Sequence, residues 1–167
     1  VEAYNLSSLE LMYRVKTGLV VMDVSGDIVV MVRAARDHRI LFMNLREGKV
    51  GEKGRLGFTP SDVLHSGKYL IAAGDRLVLY DLNKLSVVRS VGIEGGTKIC
   101  KVGGVLFVGT PYRVRVLTPS LQVLLERRVE YSPPRPPVLV CSESGGYAFY
   151  PGLAVYVKPV FECTLRV

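Results

Sequence analysis

The chain repeats itself at an interval too short for a domain and too long for one hairpin. Its clearest unit is Asp62 to Ile93, DVLHSGKYLIAAGDRLVLYDLNKLSVVRSVGI. Four apolar runs, Asp62 to His65, Tyr69 to Ala73, Leu77 to Leu82 and Ser86 to Val91, are separated by Ser66-Gly67-Lys68, Gly74-Asp75-Arg76 and Asn83-Lys84. The separators tolerate tight turns or supply positive φ, so the unit reads as a four-stranded antiparallel meander. One matching third-strand position recurs at Tyr4, Met43, Tyr80, Leu117 and Tyr156, at spacings of 39, 37, 37 and 39 residues. Independent insertions would not keep that interval.

A single sheet of this kind cannot bury both its faces. A repeated four-stranded meander with a period near forty residues therefore predicts the blades of a β-propeller, each covered by its neighbours. The expected fold is all-β: a half blade over residues 1–17, then four complete blades over about 18–58, 59–96, 97–136 and 137–167. Tyr4-Asn5-Leu6 matches Tyr80-Asp81-Leu82, which starts the chain in mid-blade. Counted this way, the strands fall two inner strands short of a closed five-bladed ring. Closure is expected from a further chain segment, from a second subunit, or from four blades closing with an extra hairpin.

With these repeats in place, the chain resembles the WD40 and quinoprotein-like class of β-propellers. The closest stretch is Leu77 to Leu82, where Tyr80-Asp81 stands where WD40 repeats carry Trp-Asp. The chain has no tryptophan, no Gly-His before its inner strands, and a shorter period than the roughly 40 to 45 residues of WD40. By analogy the resemblance implies an interaction platform.

Composition narrows the partners. The 167 residues are 49% hydrophobic, enough for a substantial core, and carry a net charge of +7 with a pI near 9.5, which directs attention to acidic partners, nucleic acid among them. Mean hydropathy is +0.27. No apolar run approaches the roughly 18 residues of a spanning helix, so no membrane insertion is expected. No charged-then-apolar leader opens the chain, and a cytoplasmic location is expected. Amides are confined to Asn5, Asn44, Asn83 and Gln122, a composition of thermophilic type. Cys100, Cys141 and Cys163 lie in apolar strands without C-x-x-C spacing. They are expected as reduced, buried thiols rather than as a disulfide framework or a metal site, with Cys100 and Cys141 at similar places on successive inner strands.

In propeller topology the second-to-third and fourth-to-first strand loops share one face. On that face Lys16, Arg33, Arg36, Arg39, Arg55, Arg76, Lys98, Arg113 and Arg135 outnumber Asp37, Asp62, Asp75, Glu94 and Glu130. On the other face the charges cancel. Tyr112, Tyr131 and Tyr150 lie on or near the same loops. Arg36, Arg39, Arg76, Tyr112, Arg113 and Arg135 are thus the candidate binding residues, and a solvated rim with incidental charge is the alternative. Arg14, Lys53, Arg127 and Arg166 recur on the outer strands, where charge blunts edge-to-edge pairing. Ser132 to Pro137, SPPRPP, reads as a stiff inter-blade connection or a polyproline II segment.

Catalytic patterns are thin. His38 and His65 are the only histidines, and neither G-x-S-x-G, a P-loop nor G-x-G-x-x-G occurs. His65 reads as a hydrogen-bonded packing residue; no catalytic residue, metal or cofactor is expected. The expected function is a non-catalytic platform presenting the basic loop face to a protein partner or larger assembly. The alternative is RNA or DNA binding by the same face, and the third reading is an enzyme with a site at the channel mouth near His65.

Overall fold

The computed structural model describes residues 2–4, 11–14, 20–33, 37–130 and 135–158. The chain falls into two compact units, Val1–Gly95 and Gly96–Val167. In the first, a short pair, β1 (Glu2–Tyr4) and β2 (Leu11–Arg14), precedes two four-stranded sheets. One runs β3 (Val20–Ser25), β4 (Ile28–Arg33), β5 (Arg39–Asn44) and β6 (Lys49–Arg55). The next runs β7 (Asp62–Ser66), β8 (Tyr69–Ala73), β9 (Arg76–Asp81) and β10 (Ser86–Gly92).

The second unit holds β11 (Lys98–Val102), β12 (Val105–Gly109), β13 (Arg113–Leu117) and β14 (Val123–Arg128) as a third four-stranded sheet. A three-stranded sheet, β15 (Val138–Ser142), β16 (Gly145–Tyr150) and β17 (Leu153–Val157), follows. Strands pair in sequence order and antiparallel in every sheet, so each sheet is a meander, one blade of a β-propeller. Among the described residues there is no helix. The fourth strand expected for the last blade, the stretch Ser132 to Pro134, Cys163, Arg166 and Arg36 all lie outside the described residues.

The blades are apolar on both faces where it matters. Val29 to Val32 on β4, Leu70 to Ala73 on β8 and Leu106 to Val108 on β12 are each buried as consecutive residues, and consecutive strand residues point to opposite faces. Outer strands differ. β6, β10 and β14 are exposed along nearly all their length, and Lys53 and Arg127 on them are solvent-facing, as edge strands require.

Within the first unit, Val30, Val32 and Ile40 pack against Val63, Leu70, Ala72 and Val78 of the next blade. Within the second, Val102, Phe107 and Val114 pack against Ala148 and Tyr150. Gly146 lets the two second-unit blades approach: a Cβ there would come within 2.8 Å of both Phe107 and Val102.

The inner strands of neighbouring blades meet at one register. In the first unit the His65 amide donates to Asp23 Oδ2 at 2.6 Å. In the second, Cys100 and Cys141 are joined by a disulfide, with Cα atoms 6.2 Å apart. Asp23 and Cys100 both stand two residues before the end of their inner strand, and His65 and Cys141 both stand one before. The same inter-blade position is thus closed by a carboxylate in one unit and a covalent bond in the other. This corrects the expectation of reduced thiols for Cys100 and Cys141. The 41-residue repeat offset brings the two side chains face to face within the span a disulfide can bridge, which linear spacing does not display.

Tyr150 is a second correction. Placed by sequence on the loop face as a stacking residue, it is buried, and its hydroxyl donates to the Thr110 carbonyl at 2.9 Å. Burial pushes its phenol up to about 12.

Two predictions follow from this packing. A disulfide closing a loop of this size stabilises by about 4 kcal/mol in the chain-entropy account. The urea midpoint should therefore fall on reduction, and a Cys100→Ser/Cys141→Ser chain should show the same low midpoint with and without reductant. Tyr150, with a folded-state pKa above the ordinary 10, contributes fully below pH 10 and loses that contribution as pH climbs towards 12. Thermal melts from pH 9 to 12 should fall more steeply for the parent chain than for Tyr150→Phe.

Candidate functional site

The residue after each matching third-strand position is small and polar in three blades, and the structure shows its use. Asp81 is buried and its Oδ1 accepts the amides of Asn83 and Lys84, both at 2.9 Å. Asn44 Oδ1 takes the amides of Arg46 and Glu47 at 2.9 and 3.3 Å, and Thr118 Oγ1 takes that of Gln122 at 3.0 Å. Each side chain caps the turn into the outer strand. The Lys84 amide, with that of Asn83, holds the Asp81 carboxyl below its ordinary range. The position where WD40 repeats carry Asp is here a turn cap.

The second-to-third strand loops carry the candidate binding residues. Arg39, Arg76 and Arg113 are the first residues of β5, β9 and β13. All three are ion-paired. Arg39 reaches Asp37 through Nε at 2.8 Å and Glu52 through Nη1 at 3.2 Å, while Arg33 joins the same Asp37 at 3.2 Å. Arg113 and Arg115 grip the two oxygens of Glu126, each at 2.5 Å, and the Arg115 guanidinium is the first cause of the lowered Glu126 carboxyl. Arg76 pairs with Asp75 at 3.2 Å. Arg39 to Glu52 and Arg113 to Glu126 span the same sequence separation, 13 residues, so they are one cross-strand pair repeated in two blades.

Tyr112 is presented differently. Buried Thr110 accepts the Tyr112 and Arg113 amides on its Oγ1, at 3.2 and 3.0 Å, and Val129 donates its amide to the Tyr112 carbonyl at 2.8 Å. The backbone is held on both sides while the ring stands 50% exposed. Arg135, in the same unit, is exposed. In the first unit Arg76 lies over the Phe58 ring, 5.7 Å from its centre. It borders an open groove of about 150 Å³ lined by Leu56, Gly57, Phe58, Val78, Val87 and Ser90. Gly74 permits this closeness, since a Cβ there would come within 2.8 Å of the Phe58 ring and 2.9 Å of the Thr59 carbonyl. Sequence reasoning missed this groove, because Phe58 and Val87 come from different blades.

His65 packs edge-on against Phe42, with ring centres 5.4 Å apart, and its Nε2 donates to the Gly67 carbonyl at 2.8 Å. Nδ1 is buried without a hydrogen-bond partner. His38 Nε2 is 2.9 Å from Thr59 Oγ1. Among the described residues no group of three His, Cys, Asp or Glu side chains is placed to hold a metal ion, and no helix is long and apolar enough to cross a membrane.

No protein-family model matches the chain, and no curated protein matches it. Solved structures do. BamB from Moraxella catarrhalis superposes with a TM-score of 0.59 at 12% identity over 81% of this chain and 41% of its own. The WD40 domain of Toxoplasma gondii coronin superposes with a TM-score of 0.63 at 14% identity over 83% of this chain and 42% of its own. The chain spans less than half the length of either, and at these identities the likeness is one of fold: a divergent WD40-like β-propeller architecture.

Because Asp81 caps a turn, Asp81→Ala should strip hydrogen-exchange protection from the Asn83 and Lys84 amides while leaving the β8 amides protected. Its lowered carboxyl sets the sign with pH: protection holds above the ordinary carboxylate range and is lost only as pH falls through the lower folded-state value. Exchange measured by NMR across an acid series checks both.

Proposed function

We propose that the chain is a non-catalytic propeller module that binds a protein partner through its second-to-third strand loops. The observation carrying this reading is the Tyr112 ring, half exposed on a turn whose backbone is hydrogen-bonded on both sides. A rigid, exposed aromatic beside an arginine is the kind of residue that anchors protein interfaces, because little side-chain entropy is lost when it is covered. Arg113 next to it supplies a polar rim, and Arg39 and Arg76 stand at the equivalent loops of the first unit.

The ion pairs weigh for a protein over a nucleic acid. A phosphate approaching Arg39, Arg76 or Arg113 would have to displace a carboxylate already in contact. WD40-like blades, which serve widely as interaction scaffolds, agree with the reading at the level of fold.

Cross-linking and affinity capture from the native host, repeated with Tyr112→Ala, test it. The captured partner should bind at least about tenfold more weakly to the variant, the loss expected for an interface anchor. Undiminished capture would remove Tyr112 from the interface. Tight binding of a single-stranded RNA or DNA oligomer that falls steeply with salt and is lost on reversing Arg39, Arg76 and Arg113 together would replace the protein partner with a nucleic acid.

A further inference from the structure

Among the described residues of the second unit, one sheet face is exposed. On β15–β17, Val138, Val140, Tyr147, Phe149 and Tyr156 stand on the side opposite to that packed on β11–β14, and they are between 42% and 67% exposed. The rings form a platform: Tyr147 stacks on Phe149 with centres 5.7 Å apart and lies 4.5 Å from Tyr156. No charged residue interrupts it.

Register says what this face is for. Counted from the first turn of each blade, Tyr147 corresponds to Phe107, Tyr156 to Val116 and Val140 to Cys100. Phe107 and Val116 are buried, and all three lie in the core that the next blade covers. The face of β15–β17 therefore has the position and apolar character of a surface that receives another blade. The first unit carries a matching edge. On inner strand β3, Met22 and Val24 are 41% and 57% exposed, on the face opposite to the one packed on β7–β10.

We propose that a second copy of this chain covers the β15–β17 platform, placing its β3 edge with Met22 and Val24 against Tyr147, Phe149 and Tyr156. The two surfaces are apolar, uncharged and different from each other, so the contact is head-to-tail. None of these residues belongs to the Thr110–Arg113 loop, so this contact stands or falls apart from the partner site at Tyr112.

Sedimentation equilibrium of the chain at about 1 to 100 µM, the range in which modest interfaces dissociate, tests this. An average mass above the 18.4 kDa of one chain and rising with concentration is expected, unchanged in high salt because no charge pair holds the contact. Tyr147→Asp and Val24→Asp should each weaken association by roughly tenfold or more, and Tyr147→Phe should preserve it. Should Tyr147→Asp lose its cooperative thermal transition, Tyr147→Ser is expected to fold and still weaken association. A monomer at every concentration would overturn the proposal. So would an assembly indifferent to Tyr147→Asp and Tyr147→Ser, or one broken by these but not by Val24→Asp. A monomer that co-sediments with neutral phosphatidylcholine vesicles would assign the platform to a lipid surface instead.

Discussion

A four-stranded sheet with apolar residues on both faces cannot exist in water alone, and this chain is made of such sheets. The consecutive burial of Val29 to Val32 and of Leu70 to Ala73 shows that the middle strands have no solvent side. Every other feature answers to that demand. Within each unit one blade covers the other; the outer strands, freed from that demand, turn polar; and glycine stands at Gly146, where the two sheets of the second unit approach each other. On β15–β17, among the described residues, the molecule carries an exposed surface with the composition of an interior.

Charge follows the same logic. Basic residues that look in the sequence like a ligand-seeking rim are largely consumed inside the blade, in cross-strand pairs such as Arg39 with Glu52 and Arg113 with Glu126. Exposed pairs of this kind contribute little to stability, but they occupy the guanidinium forks that a phosphate would need. What remains to distinguish the loops is shape: one tyrosine fixed outward by a threonine cap, and one arginine laid over a phenylalanine at the edge of a groove.

The fold was legible because it is written in local chemistry. Turns at Gly26, Gly67 and Gly103 supply the positive φ that a hairpin needs, and the runs between them are short and apolar. The candidate site was less legible because its geometry depends on register between distant strands. Each complete third-to-fourth strand pairing contains a bulge, at Arg39/Leu41, Val87/Arg89 and Val116/Leu117. The one-residue slip decides which carboxylate meets which arginine, and a spacing count cannot place it. The Cys100–Cys141 bond hid for a similar reason: forty-one residues apart in sequence, the two are neighbours only once blades stack. Tyr150 was misread because strand ends and loop starts look alike in sequence, although its hydroxyl lies on buried carbonyls.

The inner-strand joint has a consequence beyond stability. One register position accepts a carboxylate on an amide in the first unit and a covalent bond in the second, with the strands around it unchanged. It is an interchangeable fitting. A lineage of such chains can retune how firmly each blade holds its neighbour, by solvent polarity at one joint and by oxidation at another, through two substitutions that leave turns, sheets and outward surfaces as they were.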